Sequence, residues 1–171
     1  MNTQEGLPAM KPILDPCCGG RMFYFDKQNE DTLFCDIREF SGVLCDGRLF
    51  EVKPDQIADV QKLPFPNESF WHVVFDPPHL AHGGESSWIV KKYGKLPKEW
   101  RTFIRSGFDE CWRVLKTNGS LVFKWSECSV TVGEIIKEIG RTPLYGQKER
   151  KADKTHWMFF FKSAGEERTS E

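Results

Sequence analysis

The apolar residues in the first half of this chain fall into short runs that each close on an acidic residue. Ile13-Leu14 ends at Asp15, Leu33-Phe34-Cys35 at Asp36, Ile57-Ala58 at Asp59, and Val73-Val74-Phe75 at Asp76. Short apolar runs bounded by turn formers are the pattern of buried strands. The carboxylates lie 21, 23 and 17 residues apart, which suits crossover connections better than hairpins. The pattern predicts strands over 12–15, 32–35, 56–58 and 71–75 in an open α/β sheet. Such sheets bind ligands beyond the carboxyl ends of their strands, so the four acidic residues are expected to share one polar crevice.

Other elements follow from the same patterning. Asp46-Gly47 between two apolar runs is a hairpin signal and predicts a β-ribbon over 42–52. Apolar residues at Trp100, Phe103, Ile104, Phe108, Cys111, Trp112 and Leu115 keep helical spacing from Lys98 onward, with Asn118-Gly119 as the stop. A strand is expected over 121–125. A second amphipathic helix follows through Val132, Ile135, Ile136 and Ile139, ended by Gly140, and a last strand covers 157–161. Residues 21–28 have room for one or two helical turns. Residues 1–11 are expected to be a mobile lead or loose lid, and 163–171 a polar tail, around one domain spanning 1–171.

Composition narrows the class. The chain has 171 residues, 39% hydrophobic and 29% charged, as in a globular protein with a full core. No apolar run approaches the ~20 residues that span a bilayer, and the first ten residues lack signal-peptide character, so a cytoplasmic location is expected. Six cysteines without CxxC spacing are expected to be reduced thiols, mostly in the core. Net charge is −1, which excludes a strongly basic polyanion binder. Lysines and arginines nevertheless cluster at 91–105 and again at 148–154, either as solvated faces or as contacts to a partner.

The turn Asp15-Pro16-Cys17-Cys18-Gly19-Gly20 offers small residues that let a ligand approach the backbone, with amides to receive its polar end. It lacks the Lys-Ser/Thr of a Walker-type phosphate loop. Asp36 is placed to accept from a ribose diol, and Asp59 from an adenine amino group. Each also fits a plain role as a turn or cap residue. In Asp76-Pro77-Pro78-His79 the prolines fix the turn and leave carbonyl oxygens as acceptors. A carboxylate beside a rigid carbonyl can grip both hydrogens of a planar amino group. His79 and His82 admit a metal reading, or a role as proton acceptors. The loop over 79–98 mixes Trp88 and Tyr93 with Lys91, Lys92 and Lys95, a combination that can stack bases and neutralise phosphates or simply anchor the loop.

Asp76-Pro77-Pro78-His79 resembles the Asp/Asn-Pro-Pro-aromatic motif of amino-directed methyltransferases, with His79 at the aromatic position. The turn from Asp15 to Gly20 is similar to their Asp-Pro-Phe-x-Gly-x-Gly cofactor turn. Arg113-Val114-Leu115-Lys116-Thr117-Asn118-Gly119 resembles a segment of class I S-adenosylmethionine-dependent methyltransferases generally. The resemblance covers roughly residues 12–125. It implies an α/β, Rossmann-like methyltransferase fold: a mostly parallel sheet with helices on both faces, a truncated first helix and an inserted β-hairpin. It also implies S-adenosylmethionine as cofactor, held by Asp15, Pro16, Cys17 and Gly19 near the methionine moiety, Asp36 at the ribose and Asp59 near the adenine. Asp76 and Pro77 would hold the acceptor amine and His79 would stack on it. The acceptor expected is an exocyclic amine of a nucleobase in DNA or RNA, with the nucleic acid meeting the 79–98 loop. A small-molecule amine, or a non-enzymatic nucleoside- or nucleic-acid-binding module, are the alternatives. A homodimer or partner chain would relieve the lack of a separate recognition domain.

Overall fold

The computed structural model describes residues 11–44, 46–84, 87–148 and 154–165. Residues 1–10 of the expected lead, Cys45, Arg150 and Lys151 of the second basic cluster, and the end of the tail lie outside them. β1 (Ile13–Asp15), β2 (Thr32–Asp36), β5 (Gln56–Ile57), β6 (Phe70–Phe75), β7 (Leu115–Ser126), β8 (Tyr145–Lys148) and β9 (Thr155–Phe161) form one sheet in the order β5-β2-β1-β6-β7-β9-β8. β5, β2, β1, β6 and β7 pair in parallel, and β9 runs antiparallel between β7 and β8. The chain winds outward from β1 through β2 to β5, then returns to lay β6 against the other side of β1. That reversal parts the loops after β1 and β6 and opens a crevice at the sheet's carboxyl edge.

β3 (Phe40–Val43) and β4 (Leu49–Val52) form the separate antiparallel ribbon, in register Val43↔Leu49 and Phe40↔Val52. The helices among the described residues are α1 (Trp88–Tyr93), α2 (Trp100–Val114) and α3 (Val132–Ile139). α1 lies inside the segment expected to be a loop, and β8 is an edge strand that the sparse apolar residues around Tyr145 do not signal.

Strand alternation divides the sheet into two unlike faces. Phe75, Phe123 and Phe160 point toward α2, where Phe108 meets Phe123 at 6.2 Å and Phe160 at 5.1 Å between ring centroids. α3 packs on α2, entered through a capping box of Thr131 and Glu134. Ile104, Phe108, Cys111 and Ile135 are wholly buried there. Opposite, Lys124, Trp157 and Phe159 face the other way. Truncation of the first crossover goes further than expected: residues 16–31 form turns with no helix, and from them Phe23 packs edge-on to Trp157 and Tyr24 edge-on to Phe34. The described helices α2 and α3 thus cover one face, and irregular chain takes the place of a helix over the other.

One boundary differs from expectation for a local reason. α2 ends at Val114 and Leu115 is already extended, with ψ 132°. Asn118-Gly119 is a bulge inside β7 instead of a helix stop. Asn118 takes φ +63°, and a Cβ on Gly119 would lie 2.8 Å from the carbonyl oxygens of Lys116 and Trp71, so only glycine fits. Phe108 is the centre of the helical layer. Phe108→Ala is expected to lower unfolding free energy by about 3–5 kcal/mol, read as a lower urea midpoint with unchanged slope.

Candidate functional site

The crevice is a cavity of about 600 Å³ at the carboxyl edge, within the usual range for small-molecule sites of ~300–1,000 Å³. The turn after β1 gives it Pro16, Cys17, Gly19 and Gly20. Asp36 and Arg38 come from the end of β2, and Ala58, Asp59 and Val60 from beyond β5. Asp76, Pro77, Pro78 and His79 follow β6, and Tyr93 closes the wall from α1. Eight of the nine sequence-nominated residues therefore line one space. The ninth, Asp15, is fully buried behind the turn and is not part of the lining.

The turn is pinned before any ligand arrives. Cys18 N–H donates to the Cys35 carbonyl at 2.8 Å, and Gly19 N–H donates to Asp36 Oδ2 at 3.0 Å. The Gly19 amide, expected to receive a ligand, is therefore already used. Gly20 sits under the ribbon: a Cβ there would come within 2.6 Å of the Phe50 ring. Asp36 Oδ1 accepts from the backbone N–H and the Nε of Arg38 at 2.9 and 3.3 Å. A carboxylate offers about four acceptor directions, so these three bonds leave room for one more donor such as a ribose hydroxyl. Arg38 reaches on with Nη1 to the Lys91 carbonyl of α1 at 3.2 Å, tying the β2 end to the segment over the cavity. Asp59 Oδ1 accepts from Gln61 N–H at 2.9 Å, the plain turn role weighed for it, while still facing the cavity.

Asp76 is held by a residue that the motif does not contain. Lys124 Nζ donates to Asp76 Oδ2 at 2.8 Å, with the Phe23 and Trp157 rings at 5.3 and 5.8 Å from its charge. Burial raises the Asp76 carboxyl and Lys124 pulls it back down. His79 packs between Tyr93 and Trp125, at 6.0 and 6.2 Å between ring centroids. Burial, with the Lys124 charge beside it, lowers its imidazole to about 4, although the Pro77 carbonyl works the other way. His79 is therefore a neutral ring at physiological pH. His82 is exposed, and among the described residues no three His, Cys, Asp or Glu side chains converge as a metal would require. Cys17 and Cys18 are pushed upward by burial and the surrounding carboxylates, which argues against a nucleophilic thiolate.

Lys124 and Arg38 were missed by motif reasoning. A trace of Lys124 is legible as the lone cation within Leu121-Val122-Phe123-Lys124-Trp125. Nothing in the sequence says that strand alternation aims it at Asp76. Arg38 has no comparable signal.

The chemistry of this lining fits an adenosine-bearing ligand. Asp36 and Asp59 supply acceptors for hydroxyl and amino groups, and Ile37, Ala58 and Val60 supply an apolar flank for a flat ring. No family model matches the chain, and no curated protein matches it. Solved structures do. The PH0226 protein of Pyrococcus horikoshii OT3 superposes with a TM-score of 0.55 at 14% identity, over 88% of this chain and 81% of its own. A SAM-dependent methyltransferase from Methanosarcina mazei superposes with a TM-score of 0.51 at 10% identity, over 92% of this chain and 94% of its own. The fold is that of the Rossmann-like methyltransferases.

Asp15 gives this fold a pH signature. Its Oδ1 accepts from Cys17 N–H at 3.1 Å, and the Tyr24 hydroxyl is the side-chain donor that draws its pKa down. Burial, reinforced by the Asp76 charge, raises its pKa from 3.8 to about 8. The native state then holds a proton that the unfolded chain has released, so stability falls as pH rises from about 4 to about 8. Asp15→Asn keeps the acceptor and removes the charge. Its gain in urea midpoint over the wild type is expected to be larger at pH 8 than at pH 5.

Proposed function

We propose that this protein transfers the methyl group of S-adenosylmethionine to an amine, an exocyclic amino group of a nucleobase in DNA or RNA. The observation that carries the reading is the single cavity uniting the glycine turn, the Asp36 and Asp59 carboxylates and the Asp76-Pro77-Pro78-His79 turn. The Methanosarcina mazei neighbour, described as SAM-dependent, shares the fold that builds such a cavity.

When bound, the cofactor supplies a methyl group already activated on a sulfonium, so alignment and exclusion of water are the main tasks left to the protein. Asp36 would take a ribose hydroxyl, and Ile37 and Val60 would flank the adenine. Asp76 has one oxygen on Lys124, and the other remains for an acceptor N–H. The Pro77 carbonyl offers a second acceptor for the same amino group. Neutral His79, held by Tyr93 and Trp125, presents a flat uncharged ring against which a base can stack. Lys92, Tyr93 and Lys95 from the 79–98 segment reach the same cavity, in support of that segment contacting the acceptor.

The Lys124 pairing favours one second reading, a nucleoside-binding module without transfer, because it holds one of the two Asp76 oxygens and leaves a single one for an acceptor. Calorimetry with S-adenosylmethionine and S-adenosylhomocysteine, followed by a labelled-methyl assay against DNA, RNA and small amines, separates the two. The transfer reading expects binding of both nucleosides and label in nucleic acid. It expects Asp76→Ala to lose at least about 100-fold in turnover, as when a group acting on the transition state is removed, with nucleoside affinity within a few-fold of wild type. No binding of either nucleoside would overturn it, and binding without label in any acceptor would leave the module.

A further inference from the structure

A second cavity of about 580 Å³ adjoins the first, between the glycine turn and the ribbon. The two share Gly19, Gly20, Met22 and Lys92 as lining, so they communicate across the turn. Their chemistry differs. The second is basic, with Arg21, Lys27, Arg48, Lys53 and Lys92 against Glu51 and Asp55.

The ion pairs sharpen this imbalance. Asp55 is neutralised from within, by Arg21 Nη2 at 2.8 Å and Lys11 at 3.4 Å. Arg48 is held by Asp46, which accepts from its Nε at 2.8 Å. Lys27 and Lys53 are exposed and make no ion pair among the described residues. Lys92 lies over the Tyr93 ring, 5.1 Å from its centroid, also without a carboxylate. Lys27, Lys53 and Lys92, none of them in an ion pair among the described residues, thus line a space whose one carboxylate outside a described ion pair is Glu51.

We propose that this second cavity seats backbone phosphates of a single-stranded nucleic acid whose target base enters the first cavity. The proposal rests on the base-methylation reading and adds the path of the strand. Phosphates give most of the affinity for nucleic acid and position it, while the base is read elsewhere. Three ammonium groups spread around a cavity of this volume exceed what one phosphate needs, so they suit consecutive phosphates of a strand better than a mononucleotide. Lys92, common to both cavities, marks the crossing point. Exposed Met22, 42% accessible, lies beside it as an apolar surface for a neighbouring base. A base presented unpaired, as a nucleobase-modifying site requires, calls for a single strand at this point.

The test is fluorescence anisotropy with a labelled 12-nucleotide single strand over a salt series. Wild type, Lys27→Glu/Lys53→Glu and a control, Lys137→Glu on the exposed side of α3, are compared, each checked for fold by circular dichroism. The double variant is expected to bind at least tenfold more weakly. Its salt slope should fall by roughly 1.4, since each phosphate contact on a single strand contributes about 0.7. The control should stay within about twofold of wild type. Equal affinity and slope in the double variant and wild type would overturn the proposal, as would equal losses in the double variant and the control. Adenosine monophosphate displacing the labelled strand at the strand's own affinity would overturn the strand assignment in favour of a single nucleotide. S-adenosylhomocysteine calorimetry on the wild type keeps the two claims apart. Cofactor binding without strand binding removes only this inference, and strand binding at Lys27 and Lys53 without cofactor binding removes only the methyl-transfer reading.

Discussion

The carboxyl edge of this sheet depends on how carboxylates on three adjacent strands are compensated. Asp15 feels the charges of Asp76 and Asp36, and Lys124 is the cation that reaches Asp76. Carboxylates this close and this dry cannot all be ionised. Lys124 bonds to Asp76, Asp36 has Arg38 and two backbone amides, and Asp15, with no ion pair among the described residues, is pushed by burial toward its protonated form. The division of charge along the rim therefore decides which carboxylate is available to a ligand.

Lys124 can sit there because the two faces of the sheet are covered differently. On one side α2 and α3 seal an apolar core that includes Phe75, Phe108 and Phe123. On the other, the connection from β1 to β2 crosses as turns without a helix. Those turns bring Phe23 against Lys124 and Trp157, so an ammonium group is accommodated where a full helix would present packed aliphatic side chains. The ribbon of β3 and β4 takes up part of the covering task, with Phe50 pressed on Gly20. Loss of one helix and gain of one ribbon together shape the glycine turn and the basic cavity behind it.

Arg38 adds a link between ligand site and cover. Its guanidinium bridges the Asp36 carboxylate and the Lys91 carbonyl. It thereby ties the β2 end to α1, the helix whose last residues, Lys92 and Tyr93, line the cavity.

The strands that close on acidic residues, the ribbon, α2, α3 and the acidic rim were legible in the sequence because each rests on local chemistry. Apolar runs closed by Asp15, Asp36, Asp59 and Asp76, the Asp46-Gly47 turn, and helical spacing from Trp100 to Trp112 need no distant partner to be recognised. What the sequence left undetermined depends on groups that are far apart along the chain. The pairing of Lys124 with Asp76 joins two strands through the alternation of side chains across β6 and β7. The withdrawal of Asp15 behind its own turn, and the capture of the Gly19 amide by Asp36, follow from how β1 and β2 register. α1 and β8 are too short, and too thinly apolar, to announce themselves; they form because the β6 turn and β9 give them something to pack on. Local patterning thus determined which residues reach the rim, and only tertiary packing decided which of them carry charge, which are already bonded, and which still face the cavity.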